Sequence, residues 1–172
     1  MKFIAYMCRQ QEESNLNIKT LAIIAVSAVG LLSTSVSAQE VKTLTPAMAK
    51  AKIMDGTNIP VSLTGKRGDP INGKKIAINR KKGNCLACHD MPISEQAFHG
   101  NAGPDLHGIG SRYTAAEFRL RLVNPKVINP NTFMPAFYRD YDFKRVLKKF
   151  QGKTILSAQE VEDVIAYLVS IK

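Results

Sequence analysis

Residues 83–90 read Gly-Asn-Cys-Leu-Ala-Cys-His-Asp. Cys85 and Cys88 stand three residues apart, and His89 follows the second cysteine directly. No other feature constrains the fold as strongly. Two sulfurs and an imidazole fixed on one short stretch require the rest of the chain to close around whatever they hold. Three occupants suit the pattern: a redox-active dithiol, a structural zinc ion, or a c-type haem joined through both sulfurs.

The third cysteine, Cys8, lies in a stretch with the marks of export. Leu21 to Leu32 (LAIIAVSAVGLL) is an unbroken run of apolar and small residues, with Lys19 just before it. It is too short to span a bilayer as a helix but fits the apolar region of a signal peptide. Val36-Ser37-Ala38 places short side chains at −3 and −1, so cleavage is expected after Ala38 and residues 1–38 are read as a signal peptide. Glu12 and Glu13 in a long leading region depart from the usual pattern. The exported chain keeps only the two motif cysteines. A disulfide between them would close a very small ring and brace little, so they serve chemistry. The formal net charge is +10. It suits an acidic partner or an anionic surface, and export argues against nucleic acid. The mature chain is expected in the periplasm, without a membrane span.

Along the mature chain the signals are helical. Residues 39–68 show a possible short helix from Pro46 to Met54, and Pro60, Gly65 and Gly68 break up the remainder. The segment is read as an N-terminal extension that wraps the domain or meets a partner, a loose arm being the alternative. The domain proper is placed at 69–172. Asp69-Pro70 is a helix start, N-cap followed by proline at the first position, and directs Ile76 and Ala77 to a core. Thr114-Ala115-Ala116-Glu117 is a capping box opening a helix with Phe118 and Leu122 on one face, stopped at Asn124-Pro125. Pro125, Pro130 and Pro135 stiffen the loop that follows, and Phe143 to Phe150 reads as a short basic helix. Ser157-Ala158-Gln159-Glu160 is a second capping box, and Val161, Val164, Ile165, Leu168 and Val169 then make one apolar face. The class is all-α. With so many Gly and Pro residues there is too little helix for a self-sufficient bundle, so something else should fill the middle.

A haem fits that vacancy. Cys-x-x-Cys-His is the attachment signature of c-type haem, and the histidine after the second thiol can reach the iron. A dithiol of the thioredoxin kind needs a strand–helix setting that is not visible. Zinc needs a fourth ligand, for which His99 and His107 remain available. With haem, the second axial ligand is assigned to Met134: Met91 is too close to His89, Met48 and Met54 lie in the extension, and Pro135 holds Met134 extended on its loop. A ligating imidazole usually donates its free N–H to a fixed carbonyl, and Pro104 in Gly-Pro-Asp-Leu-His-Gly is the candidate. His107 is read as structural, and Arg112 as a partner for a haem propionate.

These features resemble class I cytochrome c over residues 69–172. A closer resemblance is to the SoxX family, monohaem subunits of the SoxAX complex of thiosulfate oxidation. It is carried by "IPVSLTGKRGDP", "RKKGNCLACH", "GIGSRYTAAEFRLRLVNPK", "NPNTFMPAFYR" and "AQEVEDVIAYL". The resemblance implies a class I cytochrome c fold around one covalent haem c with His89 and Met134 as axial ligands. It implies an electron-transfer subunit of an L-cysteine S-thiosulfotransferase, with the chemistry on a SoxA-type cytochrome partner, a SoxYZ-type carrier as substrate and another cytochrome as acceptor. A free periplasmic electron shuttle is the alternative. The basic stretch "FKRVLKKFQGK" departs from the pattern and has no assigned role.

Overall fold

The structure, a computed structural model, describes residues 42–172. The expected signal peptide lies outside them. Four α-helices follow in order: α1 Pro46–Lys50, α2 Pro70–Ile78, α3 Ala115–Val123 and α4 Ala158–Ser170. Single 3₁₀ turns at Cys85–Ala87, Ile109–Ser111, Pro125–Val127 and Lys148–Phe150 join them. Among the described residues there is no strand, only an isolated bridge between Met54 and Asn58.

Local chemistry sets the helix starts. The Asp69 carboxylate accepts from the Ile71 N–H at 2.8 Å, and Pro70 fills the first helical position. Thr114 with Glu117, and Ser157 with Glu160, form complete capping boxes, each satisfying two otherwise orphaned backbone donors. Length decides the ends. α1 stops at Lys50, short of the expected Met54, because Lys52 and Ile53 already donate three residues back, to Ala49 and Lys50. The chain then reverses through Asp55 and Gly56, both at positive φ.

α2 crosses α4, the most extensive helix pair among the described residues. The crossing depends on Gly73, where a Cβ would come within 2.0 Å of the Asp163 carbonyl oxygen and 2.9 Å of the Tyr167 Cβ. No side chain fits there. α4 buries Val161, Val164, Ile165 and Leu168 on one face, each contributing about 1.5–3 kcal/mol relative to exposure.

Residues 42–68 wrap the helices. Ile59 and Leu63 are fully buried. The Ile59 N–H donates to Ala116 O at 3.0 Å, the Leu44 N–H to Leu63 O at 2.7 Å, and the Tyr138 hydroxyl to Leu44 O at 2.6 Å. A buried ion pair locks this arrangement. Arg119 on α3 meets Glu162 on α4 through Nε–Oε1 at 2.8 Å and Nη2–Oε2 at 2.9 Å, with both side chains at most 7 % exposed. Arg119 Nη1 also donates to Ile59 O at 2.7 Å, and Glu162 Oε1 accepts from the Leu63 N–H at 2.7 Å.

The helix expected from Phe143 to Phe150 is absent. Only the 3₁₀ turn Lys148–Phe150 forms. The stretch has four cations and no acid to pair with them at helical spacing, and no residue of it is fully buried.

Candidate metal centre

The motif sits on one tight turn. Asn84 adopts a left-handed conformation (φ +49°) that ends the preceding loop, and Cys85–Ala87 then winds as 3₁₀. The Cys85 carbonyl accepts from Cys88 and His89 N–H at 3.1 and 2.9 Å, which gathers the three side chains. The two cysteines are not bonded to each other.

Both cysteines and His89 line a cleft of about 560 Å³, together with Met134, Phe137, Ile155, Val164 and Leu168. A second cavity of about 350 Å³ adjoins it, sharing His89, Leu106, Met134 and Leu168 and adding Arg112, Tyr113 and Arg121. The walls come from the motif, the Pro104 loop, α3, the proline-rich loop and α4. This is the middle that the sparse helices leave open.

His89 is held as a metal ligand should be. Its Nδ1 lies 2.7 Å from the Pro104 carbonyl oxygen. A carbonyl only accepts, so Nδ1 carries the proton and the lone pair is on Nε2. Gly103 gives the ring its seat: a Cβ there would fall 2.5 Å from Cε1 and 2.7 Å from Nδ1 of His89. On the other side, the Met134 N–H donates to Thr132 Oγ1 at 3.2 Å. Lys126 Nζ donates to Thr132 O at 2.5 Å and to Pro130 O at 3.4 Å. That lysine clamps the loop that carries Met134, a role its sequence context does not reveal.

The other two occupants fit poorly. Burial, helped by the neighbouring Cys88, pushes the Cys85 thiol up to about 11 against its own backbone hydrogen bond. A dithiol catalyst needs the opposite shift. The zinc set does not assemble: His99 pairs with Asp90 at 2.7 Å and His107 with Asp105 at 2.6 Å. Among the described residues, the one cluster of three potential ligand atoms is Asp90, Asp105 and His107, all exposed and without either cysteine. Two thiols, an oriented imidazole and a thioether lining one cleft fit a covalent haem.

Arg112 donates through Nη2 to the carbonyls of Asp105 (2.8 Å) and His107 (3.2 Å), which fixes its guanidinium at the second cavity. Arg121, which the sequence reading passed over, lines the same cavity and stacks 4.0 Å over the Tyr113 ring. Its spacing on α3, three residues after Phe118, was the available signal.

The fold and this cleft define a c-type cytochrome. A cytochrome c family model matches residues 71–172, and the chain belongs to that family, whose prosthetic group is a covalently bound haem. It is also similar to a chain in the crystal structure of SoxXA from P. pantotrophus, at 36 % identity and a TM-score of 0.69. The match covers 76 % of this chain and 99 % of that one. Within the cytochromes it is therefore of the SoxX type. No curated protein sequence matches it.

Proposed function

We propose that this chain is the electron-transfer subunit of a periplasmic SoxAX-type complex, an L-cysteine S-thiosulfotransferase of thiosulfate oxidation. The observation that carries the reading is a single cleft lined by Cys85, Cys88, His89 and Met134. Cys85 and Cys88 would tether the haem through thioethers, and His89 Nε2 and Met134 Sδ would ligate its iron. Haem supplies one-electron redox chemistry when bound. With two protein ligands on the iron, no coordination position is left for a substrate, which suits electron transfer.

The chain's own residues do the rest. Pro104 holds the imidazole tautomer, Gly103 the ring plane, and Lys126 with Thr132 the methionine loop. Arg112 and Arg121 would receive the propionate carboxylates, because the planar guanidinium fork matches a carboxylate. Arg80 and Lys81 line the cleft beside the motif and would steer an acidic redox partner.

Once the leader that carries Cys8 is removed and the haem is attached, no cysteine would remain for sulfur chemistry, so the reaction belongs on a SoxA-type partner. There a carrier cysteine on a SoxYZ-type protein and thiosulfate would form one S–S bond. The thiol proton and two electrons leave, and this subunit would pass the electrons to an acceptor cytochrome. Co-purification from a host that attaches haem tests the assignment: the holoprotein should elute with a SoxA-type cytochrome, and a protein that elutes alone in its presence overturns the subunit reading. Met134→Ala tests the ligand set. It should abolish the methionine–iron absorption band and lower the reduction potential; an unchanged band refutes Met134 as ligand.

A further inference from the structure

The electron-transfer reading leaves the loop between Phe137 and Leu156 without a task. Its base is fixed, since the Phe137 carbonyl accepts from both Ile155 and Leu156 N–H at 3.0 Å. Its tip makes only short-range contacts: Arg139 lies 4.5 Å over the Phe143 ring and Lys149 5.0 Å over that of Phe150. Residues 143–153 read Phe-Lys-Arg-Val-Leu-Lys-Lys-Phe-Gln-Gly-Lys, with five cations and no acid. Among the described residues none of those cations joins an ion pair. Large apolar side chains stand out between them: Leu147 is 67 % exposed and Phe150 52 %. Folding alone gives no reason to display these residues beside unopposed positive charge.

We propose that this tip docks the protein on the surface of a bilayer containing anionic phospholipid. Each lysine or arginine near such a surface gains about 1 kcal/mol, and five on one tip set its orientation. Leu147 and Phe150 flank Lys148 and Lys149, so once the cations reach the headgroups the two apolar side chains enter the acyl boundary. The lysine stems extend back to the phosphates. A protein partner fits less well. A stable protein interface covers roughly 800 Å² per side, and lysine is depleted from it. An eleven-residue tip falls short of the roughly 20–30 residues a side of such an interface, and four of its residues are lysines. Docking is peripheral, because no helix among the described residues is long and apolar enough to cross a membrane. The loop's base residues Phe137 and Ile155 also line the haem cleft, so a seated tip holds that side of the redox centre a loop's length from the bilayer. The inference stands apart from the ligands assigned to the iron.

Co-sedimentation of the holoprotein with vesicles tests it. Vesicles of equal parts phosphatidylcholine and phosphatidylglycerol should carry the protein down, and phosphatidylcholine alone should not. Lys148→Gln/Lys149→Gln should weaken binding roughly thirtyfold. Lys66→Gln/Arg67→Gln, the same charge change at an exposed site elsewhere, should alter it less than about threefold. Leu147→Ser/Phe150→Ser, which keeps the charge, should weaken binding at least about tenfold. All three variants should keep the visible spectrum and the reduction potential. The proposal is overturned if anionic vesicles do not bind the protein, if the two charge variants lose affinity equally, or if the apolar variant binds as the wild type does. Loss of capture by a SoxA-type cytochrome in the tip variants, with vesicle binding unchanged, would make the tip a protein interface instead.

Discussion

Replacing Arg119 with leucine tests how the wrapping segment is held. The guanidinium makes a bidentate contact with Glu162 and a third hydrogen bond to Ile59 O, with both charged groups buried. Arg119→Leu leaves the Glu162 carboxylate with one protein donor, the Leu63 N–H, in a site that admits almost no water. Removing one member of a buried pair costs about 3–5 kcal/mol, most of it from the stranded charge. At about 3 °C per kcal/mol for a domain of this size, the holoprotein should melt roughly 10–15 °C lower. If the stranded charge is the cause, a second substitution should reverse sign with background. Glu162→Gln destabilises the wild type by breaking the pair. In the Arg119→Leu protein it removes the buried charge while keeping an acceptor for Leu63, and should restore about 1–3 kcal/mol. Urea unfolding followed by circular dichroism measures all four proteins, and limited proteolysis reports whether residues 42–68 detach first. Additive losses, or an Arg119→Leu cost under about 1 kcal/mol, would refute the argument.

Other outcomes follow from the same geometry. Gly103→Ala forces a methyl group against the His89 ring, an overpacking worth about 1–3 kcal/mol, and should shift the potential and haem spectrum; unchanged values would mean that the ring has room to move. Lys126→Met removes the clamp on the Met134 loop and should make the methionine–iron band fade on heating well before global unfolding, with Lys126→Arg restoring it. Burial raises the Glu160 carboxyl, but the Lys82 ammonium and the Ser157 backbone outweigh it and leave the pKa below 4.5. A depressed native carboxyl takes up protons on unfolding, so this stabilisation is full above pH 4.5 and is lost as pH falls through the lower native value. Glu160→Gln should therefore flatten the acid limb of a stability–pH curve and leave its neutral-to-basic shape unchanged.

What the sequence made legible was local. Capping boxes at Thr114 and Ser157 and the Asp69-Pro70 start are decided within four residues, so they can be read without the rest of the chain. The cysteine–histidine motif likewise carries its chemistry in five consecutive residues. Arg119 shows the limit. In Phe-Arg-Leu-Arg-Leu it looks like a solvent-facing cation, and only the arrival of Glu162 from α4 and Ile59 from the extension buries it. The extension itself has no periodicity because it contributes isolated anchors, Ile59 and Leu63, to a core made by others. The short basic helix expected at Phe143–Phe150 errs the other way: like charges without acids to pair with them, and no surface to bury the stretch, leave only the turn Lys148–Phe150.

α4 also seals the cleft from a part of the chain remote from the motif. It supplies Val164 and Leu168 to the lining, and Lys172 Nζ donates to Gly110 O at 2.7 Å just beyond it. The thiols and the helix that shares their cleft are thus far apart in sequence and adjacent in space. Loosening α4 alone would unseal the space beside both sulfurs.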